Sequence, residues 1–327
     1  MCFSKILTKE FLEAALHKTI KEFEITILTA PGDNYVGNLY RVTVTCDQKE
    51  TISLVCKSMP DFMKASDAHV REIEVYANTL PAIYVLTEKA WPDMESFAPK
   101  LMFNIDGILA LEDLNVLGYR TLGRGITLNI ELCMLVLKKL ARFHAASVML
   151  YINDPDSMKH YDKSVFEDRQ SHEGVMRFFT AMLTTLADVV AGWPECMMYA
   201  DRVRTLSSKL LGKLIAASQN DLTKFNVLNH CDLWVYHSEL TSGLVALKYP
   251  KQIITFDQLK EEYEKRIAYG AYATFIDLPI MCDNGDFDLH LAMSKGTIPG
   301  RKMFDLSTYK EILQYRLPIF DQLGLFD

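Results

Sequence analysis

Asp232 is the residue in this sequence best placed to steer a phosphoryl transfer. In the stretch NVLNHCDLWVYHSEL, Asn226 to Leu240, a short apolar run from Phe225 to Leu228 leads into His230, Cys231 and Asp232, with Trp234 two residues on. A strand that ends in His-x-Asp and a loop is how many phosphotransferases present a carboxylate to an acceptor hydroxyl, which the aspartate orients or deprotonates. In such loops an asparagine five residues after the aspartate holds magnesium; position 237 here is histidine. A buried His–Asp hydrogen bond in a core loop gives the same local pattern. The motif therefore gains meaning only beside a nucleotide site.

A lysine and a glutamate supply the complementary half. Lys57 closes the run ISLVCK, and a helix expected from about Ala65 to Leu80 carries Glu72, Val75, Tyr76 and Thr79 on one face. A strand lysine paired to a helix glutamate is the clamp that kinase-like folds close on nucleotide phosphates. Alone, Lys57 reads as a solvated strand end. Ahead of it lies a turn at Pro31-Gly32-Asp33-Asn34, and Gly32, Asn34 and Gly37 make a hairpin through which backbone amides can approach phosphate. An ordinary glycine-containing surface hairpin has the same composition. The combination is more specific than its members.

Positioning these groups requires an antiparallel meander: Ile25 to Leu28, Leu39 to Thr45 and Ile52 to Lys57, then Lys100 to Phe103 and Gly107 to Leu111 around a turn at Asp106-Gly107. Upstream, Thr8 can cap a helix in which Phe11, Leu12, Ala15, Leu16 and Ile20 recur at helical spacing. The run ILALEDL meets Glu112 and Asp113 where a first lobe, residues 1–113, hands over to a second, 114–327. The second lobe reads as helical. An amphipathic helix from Asn129 to Leu150 would bury Leu132, Leu135, Val136, Leu140 and Phe143, with His144 as a structural hydrogen-bonding residue. Two or three helices between 165 and 218 break near Gly192-Trp193-Pro194, with Phe178, Phe179, Met182 and Leu186 in the core, and Leu259 to Asp327 is helical again. Thr255-Phe256-Asp257-Gln258 has the form of a capping box, which makes Asp257 a first-turn residue favoured by the helix dipole. A metal-ligand role for Asp257 is the competing reading.

At 327 residues the chain is long for one core. Hydrophobic content of 49% and charged content of 24% describe a globular protein, and a net charge of -7 argues against a general binder of nucleic acid or anionic membrane. Seven cysteines without C-x-x-C spacing suggest neither zinc nor a disulfide framework, a usage that fits a reducing compartment. No signal-peptide run opens the sequence, and Leu132 to Leu150 is interrupted by Lys138, Lys139, Arg142 and His144. A cytoplasmic protein is the expectation.

Together these residues resemble the insect ecdysteroid kinase-like family, a branch of the choline kinase and aminoglycoside phosphotransferase group. LTKEFLEAALHK is similar to the family's opening helix, GDNYVGNLYRVTV to its phosphate-loop hairpin, LVCKSMP to its lysine strand and REIEVYANTLPAI to its glutamate helix. LALEDLNVLGYR resembles the hinge, LARFHAAS a following helix motif, NVLNHCDLWV the catalytic loop (usually His-Gly-Asp-x-Trp-x-x-Asn) and IFDQLGLFD the C-terminal close. The resemblance implies an α+β, two-lobed protein-kinase-like fold, with an antiparallel sheet and helix in the first lobe and a mainly helical second lobe. It implies transfer of the γ-phosphate of ATP, with Mg²⁺, to a hydroxyl of an ecdysteroid or another small sterol-like or xenobiotic alcohol. Carried over by position, Lys57 would hold the phosphates with Glu72 as its partner, and Gly32 and Asn34 would lie in the phosphate hairpin. Backbone around Glu112 and Leu114 would receive adenine, and Asp232, with His230 beside it, would serve the acceptor hydroxyl. Neither nucleic acid nor membrane is an implied partner.

The departures are equally specific. The family's loop glycine is Cys231, its metal-binding asparagine is His237, and its Asp-Phe-Gln strand, which carries the principal magnesium ligand, has no counterpart. Resemblance resumes near Leu244, so the chain reads as internally deleted between about Tyr236 and Leu244. Both magnesium ligands would then be missing, and a neutral imidazole is a poor substitute for hard oxygen donors. Loss of the corresponding strand pair and helices would also uncover apolar surface at about 25 cal/mol per Å². The expectation is an ATP-dependent small-molecule kinase that is catalytically impaired. The alternatives are a non-catalytic nucleotide- or ligand-binding pseudokinase and a truncated splice or gene-model variant.

Overall fold

The computed structural model describes the chain apart from residues 1–5, 29–36, 48–49, 60–66, 121–128, 168–171, 220, 222, 229–236 and 284–285, and apart from the side chains of Asp67, Val165 and His237. The chain forms two compact units, Met1–Gly123 and Arg124–Asp327.

In the first unit helix α1 (Lys9–Leu16) begins at Thr8, whose hydroxyl oxygen accepts from the Phe11 N–H at 3.2 Å. It stops before Ile20, the residue that helical spacing would have included. His17 turns left-handed, at φ 54°, and Ile20 opens strand β1 (Ile20–Ile27), five residues ahead of the expected start. Ile20 suits both periods, and burial against the sheet decides between them: it is 1% exposed. Strands β2 (Asn38–Cys46), β3 (Thr51–Ser58), β4 (Leu101–Ile105) and β5 (Ile108–Glu112) complete an antiparallel sheet in the order β1-β2-β3-β5-β4. Asp106 and Gly107 join the last two at φ 51° and 79°, the pair of positive values that a two-residue type I′ turn demands.

Alternation along the strands gives the sheet two different faces. Val42, Val44, Leu54, Cys56, Ile108 and Ala110 form a buried cluster with Leu7, Leu12 and Ile20, and Phe11 meets Phe103 edge-on at 5.2 Å. Arg41, Ser53, Val55 and Lys57 take the alternate positions and so the other face. After β3 come α2 (Asp67–Glu74), a π-helical turn (Val75–Thr79) and α3 (Leu80–Thr87), a helical stretch that runs past the expected end at Leu80. Pro81 explains the wide turn. It has no N–H to donate and its ring crowds the carbonyl four residues back. The Leu80 N–H therefore reaches back five residues to the Val75 carbonyl. The second unit repeats the device before Pro279, where Leu278 bonds to Ala273.

The second unit is built from helices. Its longest, α4 (Ile130–Asn153), is capped by Asn129, which accepts from the Leu132 N–H at 2.8 Å. The expected buried face needs correction. Leu137, Leu140, Ala141, His144, Ala145 and Val148 are buried, whereas Leu132 and Leu135 are 37% and 63% exposed. The core seam thus starts a turn later than the first apolar residues. Helices α5 (His172–Val190), α6 (Ala200–Leu206) and α7 (Leu210–Ser218) follow, with the break at Gly192-Trp193-Pro194 and Phe178, Phe179, Met182 and Leu186 buried as expected. Then come α8 (His237–Ala246), α9 (Phe256–Glu264), α10 (Ile267–Tyr272), α11 (Leu278–Cys282), α12 (Leu289–Lys295) and α13 (Ser307–Gln322). Phe275 packs edge-on to Phe320 at 5.3 Å, and the buried Tyr309 hydroxyl donates to the Thr274 carbonyl at 3.1 Å. Among the described residues no helix is long and apolar enough to cross a membrane. A sheet with its helix in one unit and helices in the other make this the two-lobed α+β kinase-like fold.

The start of α9 is a capping box: Gln258 N–H donates to Thr255 Oγ1 at 3.2 Å and Thr255 N–H to Gln258 Oε1 at 2.9 Å. Thr255→Ala is expected to cost about 1 kcal/mol, read as a lower urea midpoint of the whole chain.

Candidate functional site

The nucleotide-side candidates lie along one face of β3. Its strand end holds Lys57, whose Nζ lies 2.8 Å from both carboxylate oxygens of Glu72 in α2. The two side chains are 24% and 29% exposed, so the pair is shielded yet reachable. An ammonium has three donors. Two are directed at Glu72, and among the described residues the third has no partner, so it can meet an anion.

Four residues back along the strand, roughly 13 Å at 3.3 Å per residue, a second polar cluster centres on Asp113. Its Oδ2 accepts from Ser53 Oγ at 2.7 Å and Arg41 Nε at 2.8 Å, and its Oδ1 accepts from the Asn115 N–H at 3.1 Å. Asp113 is 2% exposed. Burial pushes its carboxyl up, but the hydrogen bonds from Ser53 and Arg41 outweigh that and hold it below the usual carboxylate range. A cavity of about 470 Å³ opens beside it, lined by Arg41, Ser53, Asp113, Asn115, Val116 and Arg120. Sequence reasoning missed Arg41 and Ser53. The available signal was two polar residues on strand positions opposite the apolar ones, but nothing local names a carboxylate 60 and 72 residues away.

Glu112 ends β5 by donating its N–H to the Lys100 carbonyl at 2.9 Å, and its Oε2 faces the Lys100 N–H at 3.4 Å. The Leu114 carbonyl accepts from the N–H groups of Leu117 and Tyr119, both at 3.1 Å. Among the described residues nothing accepts from the Leu114 N–H.

In the second unit the strand expected before His230 does not form: residues 225–228 have no regular structure. An apolar run needs a neighbouring strand to become one, and here other hydrogen bonds take its place. Asn226 Nδ2 donates to the carbonyls of Asp221 and Lys224 at 2.8 and 3.1 Å. The Leu228 N–H donates to Ser147 Oγ at 3.1 Å, and that buried hydroxyl donates to the His144 carbonyl at 2.8 Å. His144 is 3% exposed, with its ring 6.1 Å from that of Phe143. Gly32, Asn34, His230 and Asp232 lie outside the described residues, as do Cys231, Trp234 and Tyr236. His237 is the first residue of α8, a helix held to α4 by Arg142 Nε on Glu239 Oε1 at 2.8 Å. Asp257 sits in the first turn of α9 under the capping box. Among the described residues no three His, Cys, Asp or Glu side chains gather as a metal centre would need. At position 237, where the family pattern supplies an oxygen ligand to magnesium, the chain has histidine, a poor donor type for that hard ion.

The approach to the loop is also tied to α9. Lys224 Nζ lies 2.9 Å from Glu262, which also pairs with Arg266 at 2.6 Å and Lys265 at 3.2 Å. Arg266 foremost, then Lys224, pull the Glu262 carboxyl from 4.5 to about 2. A folded-state pKa below the unfolded one adds stability that is present above about pH 4.5 and lost as pH falls towards 2. Between pH 5 and pH 3 the urea midpoint of the wild type should fall further than that of Glu262→Gln, and equal falls would leave the cluster without a stabilising role.

Residues 31–236 match the ecdysteroid kinase-like family. The chain belongs to that family. The ecdysteroid kinase-like match runs over β2, β3 and the whole stretch to the Asp232 loop, and it ends one residue before α8 begins. Ecdysteroid kinase-like proteins have a small-molecule kinase-like fold, and kinases of this kind generally use ATP and Mg²⁺. No curated protein and no solved structure gives a significant match.

Proposed function

We propose that this ecdysteroid kinase-like chain is a cytoplasmic protein that binds ATP along the Ser53–Lys57 face of its sheet, and that its transfer of phosphate to a small-molecule hydroxyl is impaired. The observation that carries the binding is the Lys57–Glu72 pair, with both carboxylate oxygens 2.8 Å from one ammonium. These residues fit an adenine nucleotide. Its phosphates would meet Lys57 and the backbone near Gly32 and Asn34, its base would lie over Val55, and the backbone at Glu112 and Leu114 would bond the adenine edge. Asp232, with His230 beside it, would orient the acceptor hydroxyl of an ecdysteroid or another small alcohol.

The impairment rests on chemistry at the other end of the nucleotide. Magnesium, when bound, supplies charge neutralisation at the transferring phosphate. Position 237, the first residue of a helix, is histidine where the family pattern has an asparagine, and the Asp-Phe-Gln strand has no counterpart. The same observation, with the family match ending at residue 236, favours a second reading: a pseudokinase that binds nucleotide or ligand without turnover.

The test is calorimetric titration of ATP with and without Mg²⁺, followed by a turnover assay at high enzyme against steroid and other small alcohols. Binding with little or no turnover supports the proposal. Rapid turnover that disappears in Asp232→Asn would replace it with a working kinase, and failure to bind ATP would remove it. Sequencing the native transcript across codons 226–261 then decides whether the impairment belongs to the protein or to one splice form. A longer product with an asparagine in the loop and an Asp-Phe-Gln strand assigns it to the form.

A further inference from the structure

We infer that Asp113 is a positioning residue for adenine: fixed by Ser53 and Arg41, it latches the turn Asp113–Gly118 to the sheet and so aims the Leu114 N–H at the base. This rests on the ATP-binding reading above and specifies what holds the base end of that site.

The geometry gives one buried carboxylate two jobs. Oδ2 is bound to β3 through Ser53 at 2.7 Å and to β2 through Arg41 at 2.8 Å, while Oδ1 holds the Asn115 N–H of its own turn at 3.1 Å. The Asp113 carbonyl accepts from Val116 at 3.1 Å, which closes the turn. Arg120 fastens the far side by donating to the carbonyls of Asn115 at 2.8 Å and Tyr119 at 2.6 Å. Leu114 therefore lies inside a turn tied at both ends, with its carbonyl already in use and, among the described residues, no acceptor on its N–H. A donor held in place before binding loses little freedom when the ligand arrives, whereas a donor on a loose turn must be ordered at that moment. Arg41 also balances the buried charge, so the carboxylate keeps a fixed geometry rather than seeking water.

The experiment compares ATP with inorganic tripolyphosphate, which shares the phosphates and lacks the base. Both are titrated into the full chain, its Ser53→Ala variant and Lys57→Met. Ser53→Ala should weaken ATP roughly tenfold, the loss of one hydrogen bond to a charged group, and leave tripolyphosphate unchanged. Lys57→Met should weaken both ligands. Ser53→Thr keeps the hydroxyl and should restore ATP affinity, which a general loosening of the fold would not produce. Ser53→Ala is preferred to Asp113→Asn because it leaves the Arg41–Asp113 ion pair in place. ATP affinity in Ser53→Ala within twofold of wild type overturns the latch while the ATP reading stands. So does a wild type that binds tripolyphosphate as tightly as ATP. A wild type that binds neither ligand removes both proposals.

Discussion

Lys57→Met is expected to lower ATP affinity by about 10- to 100-fold while the unfolding midpoint barely moves. A hydrogen bond to a charged group contributes about 1.5–3 kcal/mol, and each 1.4 kcal/mol is a factor of ten. Methionine keeps most of the apolar stem, so packing beside β3 changes little. The lost ion pair contributes little to folding because its members are 24% and 29% exposed, and pairs that reach solvent give about 0–1 kcal/mol. Calorimetry with ATP and a urea titration on the same sample separate the two effects. A midpoint that falls with ATP affinity unchanged would make the lysine a structural residue, and the nucleotide reading would lose its main support.

Gly37→Ala should destabilise the first unit by about 2–4 kcal/mol, a large part of the roughly 5–15 kcal/mol that typically separates folded from unfolded chains. Gly37 has φ 97°, and an added Cβ would stand 2.5 Å from the Ser58 carbonyl oxygen. That oxygen belongs to the backbone of β3 and cannot swing aside. The strands would have to part where Asn38 pairs with Ser58 and Leu39 with Lys57. ATP affinity should therefore fall with stability, although residue 37 has no side chain to offer a ligand. Gly212→Ala in α7 is the counterpart of opposite sign. Nothing lies within 4 Å of the added methyl group, and replacing a helix glycine should raise stability by about 0.5–1 kcal/mol. Urea midpoints for the two variants should lie on opposite sides of the wild type.

The sequence made some of this architecture legible because those features are local. Thr8, Asn129 and Thr255 each precede a helix by the one residue a cap requires, and Asp106-Gly107 can hardly be anything but a hairpin turn. Lys57 and Glu72 are 15 residues apart, and strand and helix periods together bring them to one face. Other features needed partners that no local pattern names. Ile20 fits helix and strand alike, and the sheet claims it. α4 carries more apolar residues than one face can hold, so the spacing of Leu132, Leu135 and Val136 fits a seam as well as Leu137, Leu140 and Ala141 do. Only packing chooses between them. Phe225 to Leu228 looks like a strand but finds the Ser147 hydroxyl instead of a strand neighbour. The Arg41–Asp113–Ser53 cluster joins three distant segments, and periodicity says nothing about which carboxylate closes it.

The π turn ahead of Pro81 acts as a phase shift. One extra residue in a helical turn rotates everything before it by about 100° relative to everything after it. Glu72 lies before the insertion and points at Lys57, whereas Leu80 and Ile83 follow it and sink to 5% and 0% exposure. A regular helix through 75–79 could not keep both alignments. The aim of the glutamate is thus set by a proline nine residues away.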